Sequence, residues 1–168
     1  MYWNQGSSPI AGPDIYGGFH GYEVPVPIND LIWHHYLWLA DGATLSLYFD
    51  GVLKAQGAIT GNSTINSVRP HVIGSLWSGG ADGPFGSDVK MAEVYFVDGL
   101  ALSWQNFAQA VGTIFLPKSY SGVFGTNGFY LNWSDSTNIG KDWSGRANNW
   151  VPYNFSTADI SNDFPGMT

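Results

Sequence analysis

The sequence predicts an all-β fold, an antiparallel β-sandwich, and three observations lead to this prediction. Residues 33–40 and 43–49 form two strand-like runs, joined by Asp41-Gly42 and followed by Asp50-Gly51. Asp-Gly readily takes the positive φ angles of a tight hairpin, so the runs are expected to pair as antiparallel strands. Apolar and polar side chains alternate along residues 44–49, as on a half-buried strand. The composition agrees, because 22 glycines, 16% aromatic residues and only 11% charged residues are typical of short strands joined by tight turns.

One domain is expected for a chain of 168 residues, which is long enough to form a hydrophobic core. We divide it into an N-terminal arm or edge segment (residues 1–30), a β-sandwich core (31–133) and a loop-rich C-terminal segment (134–168) packed on the same domain. The arm contains Pro25 and Pro27. Proline cannot donate a hydrogen bond to a neighbouring strand, so these residues disfavour a central strand position.

Beyond the first hairpin, the sequence predicts further strands and one helix. The strands are runs of β-branched and aromatic residues at Val52–Ala55, His71–Gly74, Val89–Val97 and Gly128–Trp133. One short helix is predicted over Trp104–Val111, with Ser103 as its N-cap and Gly112 as its stop. Polar or glycine-rich loops are expected at residues 58–69 and 77–87.

The acidic character of the chain excludes two classes of partner. The formal net charge is −7, and the chain has only six lysine and arginine residues. Nucleic-acid binding depends on basic side chains that neutralise phosphates, and an anionic membrane surface would repel the chain. No apolar run approaches the roughly 20 residues of a membrane span. We therefore expect no nucleic-acid partner and no membrane insertion.

The acidic residues do not form a pattern expected of an enzyme. A glycosidase built on a sandwich needs two carboxyl groups that face each other across a cleft. The chain has two glutamates, Glu23 and Glu93, and the neighbours of Glu93 at two-residue spacing are Met91 and Tyr95 rather than acids. No Gly-x-Ser-x-Gly motif supports a serine nucleophile. We predict a non-enzymatic protein, with a glycoside hydrolase as the least supported alternative.

The adjacent histidines His34 and His35 are not expected to bind one metal ion together. Neighbouring residues of a strand point to opposite faces of the sheet. We therefore expect one histidine to point inward and the other outward, and neither to act as a metal ligand with its neighbour.

Two sets of side chains are candidates for binding. Asp82 and Asp88 flank the glycine-rich loop, where carboxylates and backbone carbonyls together suit Ca²⁺; calcium is therefore the candidate cofactor, and turn formation is the alternative interpretation. Tryptophan side chains can stack on the apolar faces of sugar rings. The candidate ligand-binding residues are Trp77, Trp143, Asn148 and Asn149.

A series of short motifs then follows a familiar order along the chain. The motifs are Trp33-His34-His35, Asp41-Gly42, Tyr48–Gly51, Ile73-Gly74, Met91–Phe96 and Leu102-Ser103. Their order and spacing resemble the laminin-G-like, concanavalin-A-like family of jelly-roll sandwiches. This resemblance implies a jelly-roll fold, and a calcium-assisted carbohydrate-binding lectin is one functional hypothesis that follows.

A narrower resemblance rests on segments in the second half of the chain. These are residues 92–102, 117–122, 125–131 and 139–150. They resemble structural proteins of tailed bacteriophages, especially marine ones, over about residues 31–163. The leading hypothesis is therefore a virion protein assembled in the host cytoplasm: a tail fibre, head fibre or capsid-decorating subunit. The implied partners are other virion subunits, as a homo-oligomer or with capsid or tail proteins, and a host cell-surface glycan.

The chain departs from this family at its beginning. Such sandwiches place several strands before the Trp-His-His segment, whereas about 30 residues rich in proline and glycine precede Trp33 here. We expect either a trimmed fold or a sheet that a neighbouring subunit completes, because an open sheet edge pairs readily with another chain. An obligate assembly is the corresponding hypothesis.

Overall fold

The computed structural model describes residues 2–5, 32–59, 71–73, 75–78, 81–84 and 89–166, with side chains described in 32–59, 71–73 and 90–166. Within these ranges the secondary structure is almost entirely β, which confirms the predicted fold class. The strands are Tyr2–Gln5 (β1), His34–Asp41 (β2), Thr44–Phe49 (β3), Val52–Ala58 (β4), Ser75–Ser78 (β5), Ala81–Pro84 (β6), Val89–Ala92 (β7), Val94–Phe96 (β8), Ala108–Val111 (β9), Ile114–Pro117 (β10) and Phe129–Leu131 (β11). Two short 3-10 turns span Trp104–Asn106 and Thr157–Asp159. No helix in the described ranges is long and apolar enough to cross a membrane.

The largest sheet has the strand order β4-β3-β2-β1-β7, and all its pairs are antiparallel. Its centre is the predicted hairpin, in which Asp41 pairs with Thr44 around Gly42 at φ 59°. The second Asp-Gly turn carries β3 into β4, with Asp50 at φ 46° and Gly51 at φ 70°. The structure therefore confirms both turns. Three two-stranded sheets pair β5 with β6, β8 with β11, and β9 with β10.

The N-terminal strand β1 lies inside the sheet. It pairs with β2 on one side and with β7 on the other, with Tyr2 opposite both His35 and Ala92. The expectation of an arm or edge segment is therefore wrong for residues 2–5, because strands distant in sequence supply partners on both sides. Pro25, Pro27 and the rest of the arm lie outside the described residues.

The predicted helix over Trp104–Val111 is wrong beyond its first turn. Trp104–Asn106 is a 3-10 turn, and the Ser103 side chain makes no capping hydrogen bond. Residues 108–111 instead form β9, which pairs with β10 in a hairpin. Gly112, at φ 63°, lies in the turn of this hairpin rather than at a helix end. A glycine with positive φ serves both roles, and only the partner strand decides between them.

Three other predicted boundaries change. Val89–Val97 is split at Glu93, which has φ 53°, so that β7 and β8 pair with different strands. The strand expected at residues 71–74 is absent at 71–73, and a strand begins at Ser75 instead. Part of the expected loop 77–87 belongs to the β5–β6 hairpin.

One cluster of the described hydrophobic core lies on the central hairpin. Tyr36, Leu47 and Phe49 are buried together and contact Trp38 and Ala55. A second cluster joins the sheet to the β9–β10 hairpin through two buried alanines and three partly buried aromatic residues. Its members are Ala92, Ala108, Trp33, Trp104 and Phe115.

Both adjacent histidines are buried, so the expectation of one inward and one outward ring is wrong. His34 Nδ1 lies 2.7 Å from Asp50 Oδ2, and the ring stacks on Phe49 at 4.6 Å. The same carboxylate accepts a 2.8 Å hydrogen bond from the His35 backbone N–H. His35 is fully buried, and burial lowers the pKa of its ring to about 3. From the alternation of side chains along a strand, one of the two histidines would face solvent. Both are buried because the Asp50-Gly51 turn packs over this part of the strand.

Candidate functional site

The second half of the chain forms a hydrogen-bonded body around β8 and β11, which we call the C-terminal loop unit: these two strands together with residues 122–150. Its central feature is a carboxylate held by two tyrosines. The antiparallel register places Tyr95 opposite Tyr130, and their rings stack at 4.3 Å with an interplanar angle of 4°. Glu93 Oε2 accepts hydrogen bonds from the Tyr95 hydroxyl at 3.0 Å and from the Tyr130 hydroxyl at 2.6 Å.

The cluster of Glu93, Tyr95 and Tyr130 links β8 to β11, and its side chains form hydrogen bonds with one another. Glu93 is buried. Burial and the hydrogen bond to Glu93 raise the pKa of Tyr130 to about 12, and burial is also the main cause that raises the pKa of Tyr95. Both hydroxyls therefore remain protonated and act as donors at neutral pH. The positive φ of Glu93 directs its side chain to the tyrosines at the point where the β7–β8 strand breaks.

A second buried carboxylate, Asp142, holds the loop that follows β11. Its side chain accepts hydrogen bonds from the backbone N–H groups of Tyr130 (2.9 Å), Ser144 (2.8 Å) and Asn148 (2.9 Å), and from the Ser144 hydroxyl (2.8 Å). Burial opposes ionisation of this carboxyl, but the hydrogen bonds from Ser144, Tyr130 and Asn148 outweigh it and lower its pKa below the ordinary value. Asp142 is therefore a structural anion that fixes residues 142–148.

The side-chain amides of Asn148 and Asn149 also form hydrogen bonds that hold the loop of residues 142–148 in place. Asn148 Nδ2 donates to the backbone carbonyls of Thr126 at 3.0 Å and Gly128 at 2.8 Å. Asn149 Oδ1 accepts a 2.9 Å hydrogen bond from the Asp142 backbone N–H. The ligand-binding role of the two asparagines stays a prediction, and the structure places their amides in contacts within the chain.

The loop closes where Gly140 meets Trp150. The Trp150 backbone N–H donates to the Gly140 carbonyl at 2.7 Å, and the Trp150 ring packs edge-on against Phe129 at 4.9 Å. A Cβ atom at Gly140 would overlap the Trp150 carbonyl oxygen, so only glycine fits this close approach. Residues 140–150 are thereby closed into one fixed loop.

The loop presents the indole of Trp143 at the surface. The Trp143 backbone N–H donates to the Tyr130 carbonyl at 2.8 Å, while the residue is 42% exposed. Lys141 Nζ lies 3.9 Å from the centre of the Trp143 ring and 3.2 Å from Asp135 Oδ2. A cation at this distance attracts the electron-rich face of the indole. The tryptophan is therefore both exposed and held in a defined position.

Comparison with known protein families assigns the chain to a superfamily. The sequence model of the concanavalin A-like lectin/glucanases superfamily matches residues 13–108, more than half of the chain. The chain belongs to this superfamily. Searches of characterised proteins and of solved structures found no match.

Membership of the concanavalin A-like superfamily fits the antiparallel sheets described above and is consistent with carbohydrate binding or a structural role. The match ends at Ala108, the first residue of β9, so it includes β8 but not β10, β11 or residues 122–150. The matched region thus contains β2 to β8, whereas β1 precedes it and residues 122–150 of the C-terminal loop unit follow it.

The other candidate residues predicted for this concanavalin A-like domain are not brought into a described site. Trp77 and Asp82 are opposite each other in the β5–β6 hairpin, but their side chains lie outside the described residues, as does all of Asp88. In the part of the chain with described side chains, no group of three or more His, Cys, Asp or Glu residues is placed to hold a metal ion. The ligand role of Trp77 and the calcium role of Asp82 and Asp88 stay predictions.

Sequence reasoning missed the structural roles of Glu93 and Asp142. A signal was present for each of them. Glu93 and Tyr95 have the two-residue spacing that places side chains on one face of a strand, and Asp142-Trp143-Ser144 has the Asp-x-Ser spacing of an Asx turn. Their partner Tyr130 is 35 or more residues from Glu93 and Tyr95, so only the strand pairing identifies it.

Proposed function

We propose that this chain is a non-enzymatic structural subunit of a tailed-bacteriophage particle, as a tail fibre, head fibre or capsid-decorating protein. Its concanavalin A-like domain would act as a rigid platform for contacts with neighbouring virion subunits. The observation that carries this proposal is the C-terminal loop unit, in which polar side chains bond to the chain itself while apolar ones remain at the surface.

The resemblance to phage structural proteins supports the proposal, because its separate segments pack together. Asp98, within the segment 92–102, accepts hydrogen bonds from the backbone and side chain of Asn127 in the segment 125–131. Arg146 and Asn148 of a third segment donate to backbone carbonyls of residues 125–128. Motifs scattered over residues 92–150 therefore form one structural unit.

The surface of this region is suited to contact with protein. Five exposed apolar side chains lie between residues 123 and 155 of the sequence, two of them in the C-terminal loop unit and three just after it. They are Val123, Trp143, Val151, Tyr153 and Phe155, of which Val151 is 89% exposed. Apolar and aromatic side chains are what protein interfaces bury most favourably. Burial of these side chains by a neighbouring subunit would explain why they are exposed in the isolated chain.

The buried carboxylates support a non-catalytic role. Glu93 is held by two tyrosine hydroxyls, and Asp142 by three hydrogen bonds from its own loop and one from the backbone of β11. A catalytic acid or base must instead reach its substrate. Each of these groups stabilises the fold in the arrangement seen here.

The test is to determine the mass and stoichiometry of this chain in purified particles and to map its nearest cross-linked neighbour. We expect a fixed copy number and cross-links from Lys141 to another virion subunit. Trp143→Ser should reduce incorporation into particles, whereas Val52→Ser, which changes an exposed apolar residue on β4, should not. Absence of the chain from particles, or turnover of a laminarin-type glucan by the purified chain, would overturn the proposal.

A further inference from the structure

The segment that follows the C-terminal loop unit is an exposed loop that is held at both ends. At its start, the Trp150 backbone N–H donates a 2.7 Å hydrogen bond to the Gly140 carbonyl. Beyond its end, Asp163 accepts a 2.7 Å hydrogen bond from Lys90 Nζ on β7. Every residue from 151 to 159 is exposed, and we call residues 151–159 the exposed strap.

The exposed strap carries three large apolar side chains at two-residue spacing. Val151 is 89% exposed, Tyr153 is 70% exposed and Phe155 is 59% exposed. Directly after Phe155, Asp159 Oδ2 accepts hydrogen bonds from the Ser156 backbone N–H at 2.7 Å and from the Ser156 hydroxyl at 3.0 Å. These bonds close a short turn, so this part of the strap needs little further ordering to bind a partner. Removal of its aromatic side chains from water would be favourable.

A depression on another part of the chain has room for one such side chain. It lies where the 3-10 turn at Trp104–Asn106 meets the β9–β10 hairpin, and its volume is about 380 Å³. Farther along the hairpin, Val111 and Ile114 are 50% and 49% exposed, so the surface beside the depression is apolar. The lining residues are Trp104, Gln105, Ala108, Gln109, Ala110 and Lys118.

The charges near the exposed strap and the depression are complementary. Residues 99–134, which supply the depression, contain Lys118 but no aspartate or glutamate, although the whole chain has a net charge of −7. Residues 147–168, which include the strap, contain Asp159 and Asp163 but no lysine or arginine. Two copies of an acidic chain repel each other, so a surface without acidic residues is where a second copy is least opposed.

Lys118 is the cation that an acidic strap would meet. Its side chain is exposed, and its Nζ donates one hydrogen bond, at 3.0 Å, to the Gln105 backbone carbonyl. An ammonium has three N–H groups, so two remain for an acceptor on a partner. The Lys118 backbone N–H donates at 2.8 Å to the Phe107 carbonyl, which fixes the position of the residue beside the depression.

We propose that the exposed strap of one copy of this chain docks into the depression of a second copy, with Phe155 inserted beside Ala110 and Asp159 paired with Lys118. Because the two surfaces differ, each copy offers its strap to one neighbour and its depression to another. Repetition of such a contact builds a ring or a filament. The inference deepens the proposed function, and rests on it for its setting in the particle, by identifying a neighbouring virion subunit as a further copy of this chain.

Sedimentation velocity of the full chain over a concentration series tests the self-association. We expect species larger than the monomer that grow with concentration. Phe155→Ser removes the inserted ring, and Ala110→Glu fills the depression and places a carboxylate opposite Asp159. Each variant should raise the dissociation constant by about tenfold to hundredfold, the effect of leaving one large apolar side chain unburied.

A mixture of the two variants gives the sharper result. Phe155→Ser retains an intact depression and Ala110→Glu retains an intact strap, so an equimolar mixture should form a heterodimer. It should form nothing larger, because the two remaining surfaces are both defective. The control variant is Leu53→Ser, which changes an exposed apolar residue on β4 and should leave self-association unchanged.

Unchanged far-ultraviolet spectra and melting temperatures would show that both variants remain folded, as expected for changes at exposed residues. A wild-type chain that stays monomeric, self-association that is insensitive to either variant, or a mixture that stays monomeric would overturn the inference. A chain that is present in particles but fails these tests overturns this inference alone. A chain that passes them but is absent from particles overturns the proposed function.

Discussion

The Asp142 carboxylate offers the most direct test of how the C-terminal loop unit is held. In Asp142→Ala, the backbone N–H groups of Tyr130, Ser144 and Asn148 lose their acceptor at a site where Asp142 is only 7% exposed. A buried donor without a partner costs about 1–3 kcal/mol, so three such donors, partly reached by water, should lower the free energy of unfolding by about 3–5 kcal/mol. That is a large share of the roughly 5–15 kcal/mol that stabilises a typical domain.

The isosteric variant Asp142→Asn keeps the loop packed and removes fewer contacts. Its amide retains one acceptor oxygen but turns an N–H₂ group toward backbone donors, so a loss of about 1–3 kcal/mol is expected. Because the pKa of Asp142 is lowered in the folded protein, the unfolded chain takes up a proton first as the pH falls. The stabilisation is therefore present above the ordinary pKa of aspartate and disappears as the pH falls through the lowered value, and Asp142→Asn should flatten this acid-side dependence.

Urea denaturation followed by tryptophan fluorescence measures these losses, and hydrogen exchange of the Tyr130 amide reports the local opening. The matched control is Asp135→Asn, which makes the same charge change in the same loop at a carboxylate that accepts hydrogen bonds from Thr137 and Lys141. We expect its effect to be much smaller, because water readily replaces these exposed contacts. The proposed anchoring role would be refuted if Asp142→Asn destabilised the chain no more than Asp135→Asn at an unchanged m-value.

Three further predictions concern the turn at Gly51, the tyrosine cluster and the buried histidine. Gly51→Ala combines a φ of 70° with a Cβ atom 2.9 Å from Trp104 Cε2; the melting curve should show a loss of about 1–3 kcal/mol, and a neutral effect would contradict the close packing. Tyr130→Phe removes the 2.6 Å hydrogen bond to buried Glu93 and should lower stability in urea by about 1–2 kcal/mol, whereas unchanged stability would show that the bond contributes nothing. His35, with a pKa of about 3 against 6.5 for a free histidine, is neutral when folded. The unfolded chain therefore binds the extra proton, and stability should fall as the pH drops from 6.5 to 3, by at most about 5 kcal/mol; an imidazolium NMR signal from folded His35 at pH 5 would disprove this.

Elements that depend on neighbouring residues were predicted correctly, whereas elements that depend on distant partner strands were not. The β2–β3 hairpin and both Asp-Gly turns were predicted because each depends on neighbours within a few residues, whose φ preferences and alternation are readable in the sequence. The helix expected at Trp104–Val111 failed because Gly112 suits a helix end and a hairpin turn equally well. Pairing with Ile114–Pro117 then selected the strand for residues 108–111. Residues 2–5 were expected to form an arm or edge segment for the same reason: their two partner strands lie about 30 and 85 residues away in the sequence.

The sequence by itself determined the β character of the chain, its tight Asp-Gly turns and its acidic surface, because backbone preferences and net charge are properties of residues and their immediate neighbours. Tertiary structure alone decided the roles of the polar side chains. Asn148 and Asn149, predicted as ligand residues, use their side-chain amides in hydrogen bonds to backbone carbonyl and N–H groups of the chain. Trp104, predicted to lie in a helix, begins a 3-10 turn and packs edge-on against Phe115 of the β9–β10 hairpin. Whether a polar or aromatic group bonds within the chain or remains open to a partner depends on which distant atoms surround it, and folding sets that environment.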